Sequence, residues 1–148
     1  MSTPRGVSVR SVEHRWTQPF RWGLLVAFDD SAPWESPDGV GDNRIRATTT
    51  CLTVPVLHAQ DIEIPDDWPV DEPLPEATVD VAVLVEEPSL VAAPEFDLAL
   101  SCPSGRLSVG DAENARVIEV PPGVLRVGVL REPVEFATSV VLAVKVNG

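Results

Sequence analysis

Apolar residues recur at every second position along most of this chain, and the three-to-four-residue spacing of an amphipathic helix is hard to find. Val79, Val81, Val83 and Val85 alternate with Thr78, Asp80, Ala82 and Leu84, and Phe96, Leu98, Leu100 and Cys102 alternate with Asp97, Ala99 and Ser101. Each set predicts a strand with one face on a core. Trp22, Leu24, Val26 and Phe28, set against Gly23, Leu25 and Ala27, predict another, with Trp22 in the core by shared parity and an end at Asp29-Asp30. Over residues 44–57 the apolar set changes parity, from Ile45, Ala47 and Cys51 to Leu52, Val54 and Val56. A one-residue shift turns side chains to the opposite face, so a bulge near Cys51 is expected. Pro55 has no N–H to donate and places that end at a sheet edge.

Residues 7–14, 105–109, 116–120, 124–130 and 138–146 complete a count of about nine short strands. Clusters of Pro, Gly, Asp and Ser separate them, and no segment is long enough for a crossover helix. The expected fold is all-β, an antiparallel β-sandwich with little or no helix beyond a turn around residues 88–93. One domain over residues 1–148 is expected, because 148 residues bury a core without disulfide or metal staples. Within the stretch from Val117 to Leu130, Pro121-Pro122-Gly123 reads as a hairpin turn: proline presets φ and Gly123 supplies a positive one.

Candidate chemistry is sparse. Cys51 and Cys102 lack the spacing of a zinc or redox motif and fall at the ends of apolar alternations, which predicts two buried thiols in a reducing compartment. His58 with Asp61 and Glu63 offers three ligands on a loop without a fixed fourth, and 38–43 lacks the ligand alternation of a calcium loop. Neighbouring carboxylates such as Asp29-Asp30 and Glu86-Glu87 point to opposite faces of a strand and cannot act together as a glycosidase pair. No phosphate loop or nucleophile elbow is present. The expectation is a non-enzyme with no metal and no cofactor. No apolar run is long enough to span a membrane and the N-terminus lacks the apolar core of a signal peptide, so a cytoplasmic protein is expected. Ten of the eleven basic residues are arginine, as in a GC-rich bacterial genome.

Leu107-Ser-Val-Gly-Asp-Ala112, followed by Ile118-Glu-Val-Pro-Pro-Gly-Val-Leu-Arg-Val127, resembles the C-terminal part of a loose group of small bacterial β-sandwich proteins. The DNA-entry nuclease inhibitor of competence systems, a small acidic β protein, is similar in this general plan. The resemblance covers the last third of the chain and carries over no functional residue. It implies an inhibitor or immunity role in which a basic partner is masked.

Charge adds the strongest functional signal. The net charge of −12 belongs wholly to the middle of the chain: residues 1–46 hold six acids and six bases, residues 106–148 hold five of each, and residues 47–105 hold twelve acids and no base. The acids are densest in an acidic, proline-rich loop at about residues 58–77, where Asp61, Glu63, Asp66, Asp67, Asp71 and Glu72 surround Trp68. Four prolines preclude a helix there and the clustered charge resists burial. Asp61, Glu63, Asp66, Asp67, Trp68, Asp71 and Glu72 are the candidate partner-binding residues. Trp68 either anchors in a partner's pocket or folds back as a lid on the sheet edge.

Phosphates demand Lys and Arg, so nucleic acid and anionic membranes are poor partners and a basic protein is the expected one. The leading expectation is a protein-binding module, of inhibitor or immunity type, that masks a basic partner through its acidic middle segment. The alternatives are a structural or assembly protein pairing by a sheet edge, and a small-ligand or carbohydrate binder using Trp16, Trp22 and Trp34.

Overall fold

The computed structural model describes residues 12–32, 42–85 and 94–146. Among them ten strands form two five-stranded sheets and no residue is helical. The strands are β1 (Val12–Gln18), β2 (Leu24–Asp29), β3 (Arg46–Ala47), β4 (Cys51–Pro55), β5 (Val79–Val85), β6 (Phe96–Cys102), β7 (Arg106–Asp111), β8 (Asn114–Glu119), β9 (Gly123–Glu132) and β10 (Ser139–Val146). One sheet has the order β1-β5-β10-β9-β6 and the other β3-β4-β2-β7-β8. Every pairing is antiparallel except that of β5 with β10. The expected sandwich is the observed fold. Residues 7–11 of the first expected strand, and the helical turn at 88–93, lie outside the described residues.

Valines and leucines at alternate positions meet between the sheets. Val79, Val81, Val83, Leu100, Leu125, Val127, Val129, Val140 and Leu142 come from one sheet, and Leu25, Leu52, Val54, Leu107 and Val109 from the other. Both cysteines are buried, and neither is in a disulfide.

Three local expectations are corrected. In β2 the core-facing set is Leu25 and Ala27, opposite Val54 and Leu52, while Leu24 and Phe28 are only half-buried. Every residue from Leu24 to Phe28 is apolar, so alternation marks the strand but cannot say which set faces inward. Residues 44–57 are not one bulged strand. Arg46 and Ala47 pair back onto Thr53 and Leu52, making a hairpin. The Thr48 hydroxyl accepts the N–H groups of Thr50 and Cys51 at 3.2 and 3.0 Å, and Thr48 donates its own N–H to the Cys51 carbonyl at 2.8 Å. A hydroxyl that mimics a backbone turn reverses the chain, and the parity change is the reversal.

The third correction concerns Pro121-Pro122-Gly123. Phe96 pairs with Val129, Cys102 with Gly123, Arg106 with Glu119 and Asp111 with Asn114, all in one unbroken register. Residues 96–129 are therefore a single long hairpin with its tip at Ala112-Glu113, folded over in the middle so that each arm serves both sheets. The residues flanking Pro121-Pro122-Gly123 are successive parts of one arm, not partners across a turn. Pro103, Pro121 and Pro122 cannot donate, so the ladder breaks at one level in both arms and the sheet bends into its neighbour there. Val120 donates to the Gly105 carbonyl at 2.9 Å across this corner, and a Cβ on Gly105 would stand 3.0 Å from the Val120 oxygen.

Asp29 ties β2 to the corner. Its carboxylate is 1% exposed and accepts the N–H and hydroxyl of Ser104 at 3.0 and 2.7 Å and those of Ser31 at 2.8 and 2.7 Å. Burial pushes its pKa upward, but these four donors outweigh burial and hold the carboxyl well below the usual range. A pKa lowered by folding stabilises the protein fully above the unfolded-chain value of about 3.9, and that contribution drains away as pH falls toward the folded value. Asp29→Asn is therefore expected to cost about 1.5–3 kcal/mol at pH 7. The gap between wild type and variant should narrow by about 1 kcal/mol at pH 3. Urea unfolding at both pH values measures it, and a gap that widens in acid contradicts the assignment.

Candidate functional site: an acidic loop on one pole

The strand pairings bring four connections to one end of the sandwich. Gln18 pairs with Val79, Leu24 with Pro55, Glu132 with Ser139 and Asp111 with Asn114. The β1–β2 turn, the β4–β5 connection, the β7–β8 tip and the β9–β10 turn therefore share a pole.

The β4–β5 connection is the acidic segment, and its base is firmly held. Val56 donates to the Gly23 carbonyl at 3.0 Å and Leu57 to the Ala137 carbonyl at 2.9 Å, so the chain leaving β4 runs between the other two turns. Ala59 donates to the Phe20 carbonyl at 2.9 Å, and Ala77 closes the neck on the Ala59 carbonyl at 2.8 Å. Phe20, Ala59 and Ala77 are buried there. Arg21 adds a two-pronged ion pair to Glu76, which lowers the pKa of that carboxyl.

Beyond the neck the loop is solvated. Asp61, Glu63, Asp66, Asp67, Asp71 and Glu72 are exposed, and none of their carboxylates makes a hydrogen bond or ion pair. Other acids of the base-free region are neutralised by arginines borrowed from the ends of the chain: Glu76 by Arg21, Glu95 by Arg131 and Asp97 by Arg126. The hydrogen bond from Arg126 holds the Asp97 carboxyl below its ordinary value. Six carboxylates without an ion pair thus stand together on this one loop.

Trp68 lies within the loop. It is half-buried, and its indole N–H donates to the Pro73 carbonyl at 3.1 Å within the same loop. Its backbone N–H and that of Glu72 close small turns on Pro65 and Pro69 at 3.0 and 3.3 Å. The indole holds the loop in shape from inside, leaving the carboxylates outward.

Among the described residues, Trp16 and Trp22 differ in setting. Trp16 is buried, donates its indole N–H to Gln18 Oε1 at 2.7 Å and carries the Arg116 guanidinium 5.0 Å from its ring centre. Gln18 in turn donates to the Asn114 carbonyl at 3.0 Å, joining β1 to the β7–β8 tip. Trp22 is 65% exposed, which corrects its expected place in the core. The β1–β2 turn, closed by Gly23 N–H on the Phe20 carbonyl at 3.0 Å, precedes the strand and breaks the parity on which that expectation rested. Trp34 lies outside the described residues. A shallow groove of about 350 Å³ on the outer face of β1, β5 and β10 is lined mainly by Arg15, Thr17, Asp80 and Ser139, with Thr17 bonded to Asp80 at 2.7 Å.

His58 spends Nδ1 on the Gln60 N–H at 3.1 Å, and among the described residues no three His, Cys, Asp or Glu side chains are grouped to hold a metal ion. Among the described residues no helix is long and apolar enough to cross a membrane.

These features define an all-β sandwich with a bent central hairpin and one strongly acidic pole. Solved structures share its fold. ComJ, the inhibitor of the DNA degrading activity of NucA from Bacillus subtilis, superimposes with a TM-score of 0.57 at 9% identity, covering 93% of this chain and 98% of its own. The product of crocagin biosynthetic gene J does so with a TM-score of 0.52 at 15% identity, covering 94% and 98%. No family model and no curated protein sequence matches the chain. The similarity to nuclease-inhibitor sandwiches suggested by residues 107–127 thus holds for the fold of nearly the whole chain, at a level of identity that speaks for the fold alone.

Proposed function

We propose that this chain is a non-enzymatic inhibitor that binds a nuclease and covers its basic, DNA-binding surface with the acidic loop. The observation that carries this reading is the set of six carboxylates from Asp61 to Glu72 that the fold holds outward and leaves without counter-charge. The shared fold with a nuclease inhibitor supports it. A nuclease must present Lys and Arg to grip phosphates, and a dense patch of unpaired carboxylates is complementary to that surface. The same charge repels nucleic acid, so the partner is the protein. Two buried cysteines that form no disulfide suit a reducing compartment, and the cytoplasm is the proposed location.

Inhibition should then be competitive with DNA. The combined variant Asp66→Asn, Asp67→Asn, Asp71→Asn and Glu72→Gln should fold as wild type does, because all four side chains are exposed. Its association with the nuclease should slow by about ten- to a hundredfold at low salt, and the wild-type rate should fall as salt rises. The assay is plasmid degradation by purified nucleases of the same genome, with binding kinetics followed at two salt concentrations. Equal inhibition by wild type and variant would remove the loop from the contact.

A further inference from the structure

The acidic loop is not the whole of the pole. Large apolar side chains stand in solvent on the two turns that flank its base: Trp22 at 65% exposure on the β1–β2 turn, and Val134 and Phe136 at 52% and 64% on the β9–β10 turn. Their positions are mutually fixed. Val56 and Leu57 are successive residues whose N–H groups point opposite ways, one to Gly23 beside Trp22 and the other to Ala137 beside Phe136. The two aromatic residues therefore flank a single strand-like segment, with backbones about 10 Å apart, two interstrand spacings.

Phe136 is held outward by the fold. Its φ of +53° is left-handed, a conformation that bulky L residues rarely adopt, and it is the only non-glycine residue so placed among the described ones. The turn closes by Thr138 N–H on the Glu132 carbonyl at 3.1 Å, and Ala137 is fully buried in the core. Burying Ala137 directs the ring of Phe136 into water. Glycine would suit this backbone better, so the phenyl ring is not there for the turn.

We infer that Trp22 and Phe136, with Val134, form the apolar anchor of the docking surface, and that the acidic loop rising between them is its charged part. The inference rests on the proposed function and names the residues that give its complex most of its affinity. Exposed aromatic side chains beside a dense cluster of charge have the composition of an interface hot spot, where the apolar anchors supply affinity and the charges supply rate and selectivity. The occupant is a basic protein surface with an apolar recess wide enough for an indole and a phenyl ring. A second copy of this chain is disfavoured, because it would bring the same unpaired carboxylates face to face.

The test compares full-length wild type with Trp22→Ala, Phe136→Gly and, as a control at the opposite end, Val124→Ser. The probe is the nuclease that wild type inhibits in the plasmid assay. Trp22→Ala and Phe136→Gly should each weaken binding at least about tenfold, mainly through faster dissociation, while Val124→Ser binds as wild type does. Phe136→Gly should also melt at or above the wild-type temperature, which a purely structural role for the ring would not allow. Wild-type affinity in both pole variants overturns the anchor and leaves the inhibitor reading standing. A wild-type chain that inhibits none of the nucleases overturns both.

Discussion

Replacing Arg131 with methionine is expected to cost about 3–4 kcal/mol of folding stability, from the charge-assisted hydrogen bonds lost and the carbonyls left without a donor. Arg131 follows Leu125, Val127 and Val129 on the inward face of β9, and its side chain is 2% exposed. It makes a two-pronged pair with Glu95, Nε to Oε1 at 3.0 Å and Nη2 to Oε2 at 2.6 Å. Nη1 then reaches across to the opposite sheet, donating to the carbonyls of Asn43 and Pro55 at 3.0 and 3.3 Å and to the Asn43 side chain at 3.2 Å. Methionine matches the length of the stem but strands Glu95 without its counter-charge and leaves the two carbonyls without a donor. The melting temperature should fall by roughly 10 °C. Adding Glu95→Gln should restore only a small part of the loss, because Glu95 is exposed enough for water to solvate its orphaned charge. Thermal and urea unfolding of the single and double variants decide the matter, and a single variant as stable as wild type would contradict the bridge.

Gly110→Ala should be nearly as damaging, at about 3 kcal/mol from overpacking and backbone strain together. Gly110 sits inside β7 with Val26 of β2 on one side and Ala115 of β8 on the other. A Cβ there would stand 2.6 Å from the Asn114 carbonyl oxygen and 2.7 Å from the Ala115 Cα. Both are backbone atoms of the neighbouring strand, so no rotamer change relieves the contact. Its φ of +153° adds to the cost. The β7–β8 tip should shift and loosen the bond between Gln18 and the Asn114 carbonyl, beneath which Trp16 is buried. A lower urea midpoint together with an altered Trp16 emission is the expected pair of results. An unchanged midpoint would mean that β8 yields more easily than its pairing implies.

Sequence pattern was a good guide to strands and a poor one to their partners. β5 and β6 are plain in the alternation of Val79 to Val85 and Phe96 to Cys102, because each has one purely apolar set. The hairpin of β3 and β4 was hidden because Thr48 closes its turn with a side-chain hydroxyl and needs neither glycine nor proline. Pro121-Pro122-Gly123 misled for the opposite reason: turn chemistry at that point bends one arm of a hairpin from sheet to sheet. At the pole, the carboxylates of the loop were legible as a run of acids without bases. Trp22, Val134 and Phe136 were not, because an isolated apolar residue next to a strand looks the same in sequence whether it faces core or water.

By itself, then, the sequence determined the class of fold, the strands with one apolar face, and the loop in which the acids are densest. Each of these depends on period-two patterning, on proline, or on local charge density, which are properties of neighbouring residues. The tertiary structure decided which arginines neutralise Glu76, Glu95 and Asp97, why Arg131 and Asp29 are buried, and that the acidic loop rises between two turns bearing exposed aromatic residues. Those outcomes depend on contacts between residues far apart in the chain. Only the pairing register of ten strands brings them together.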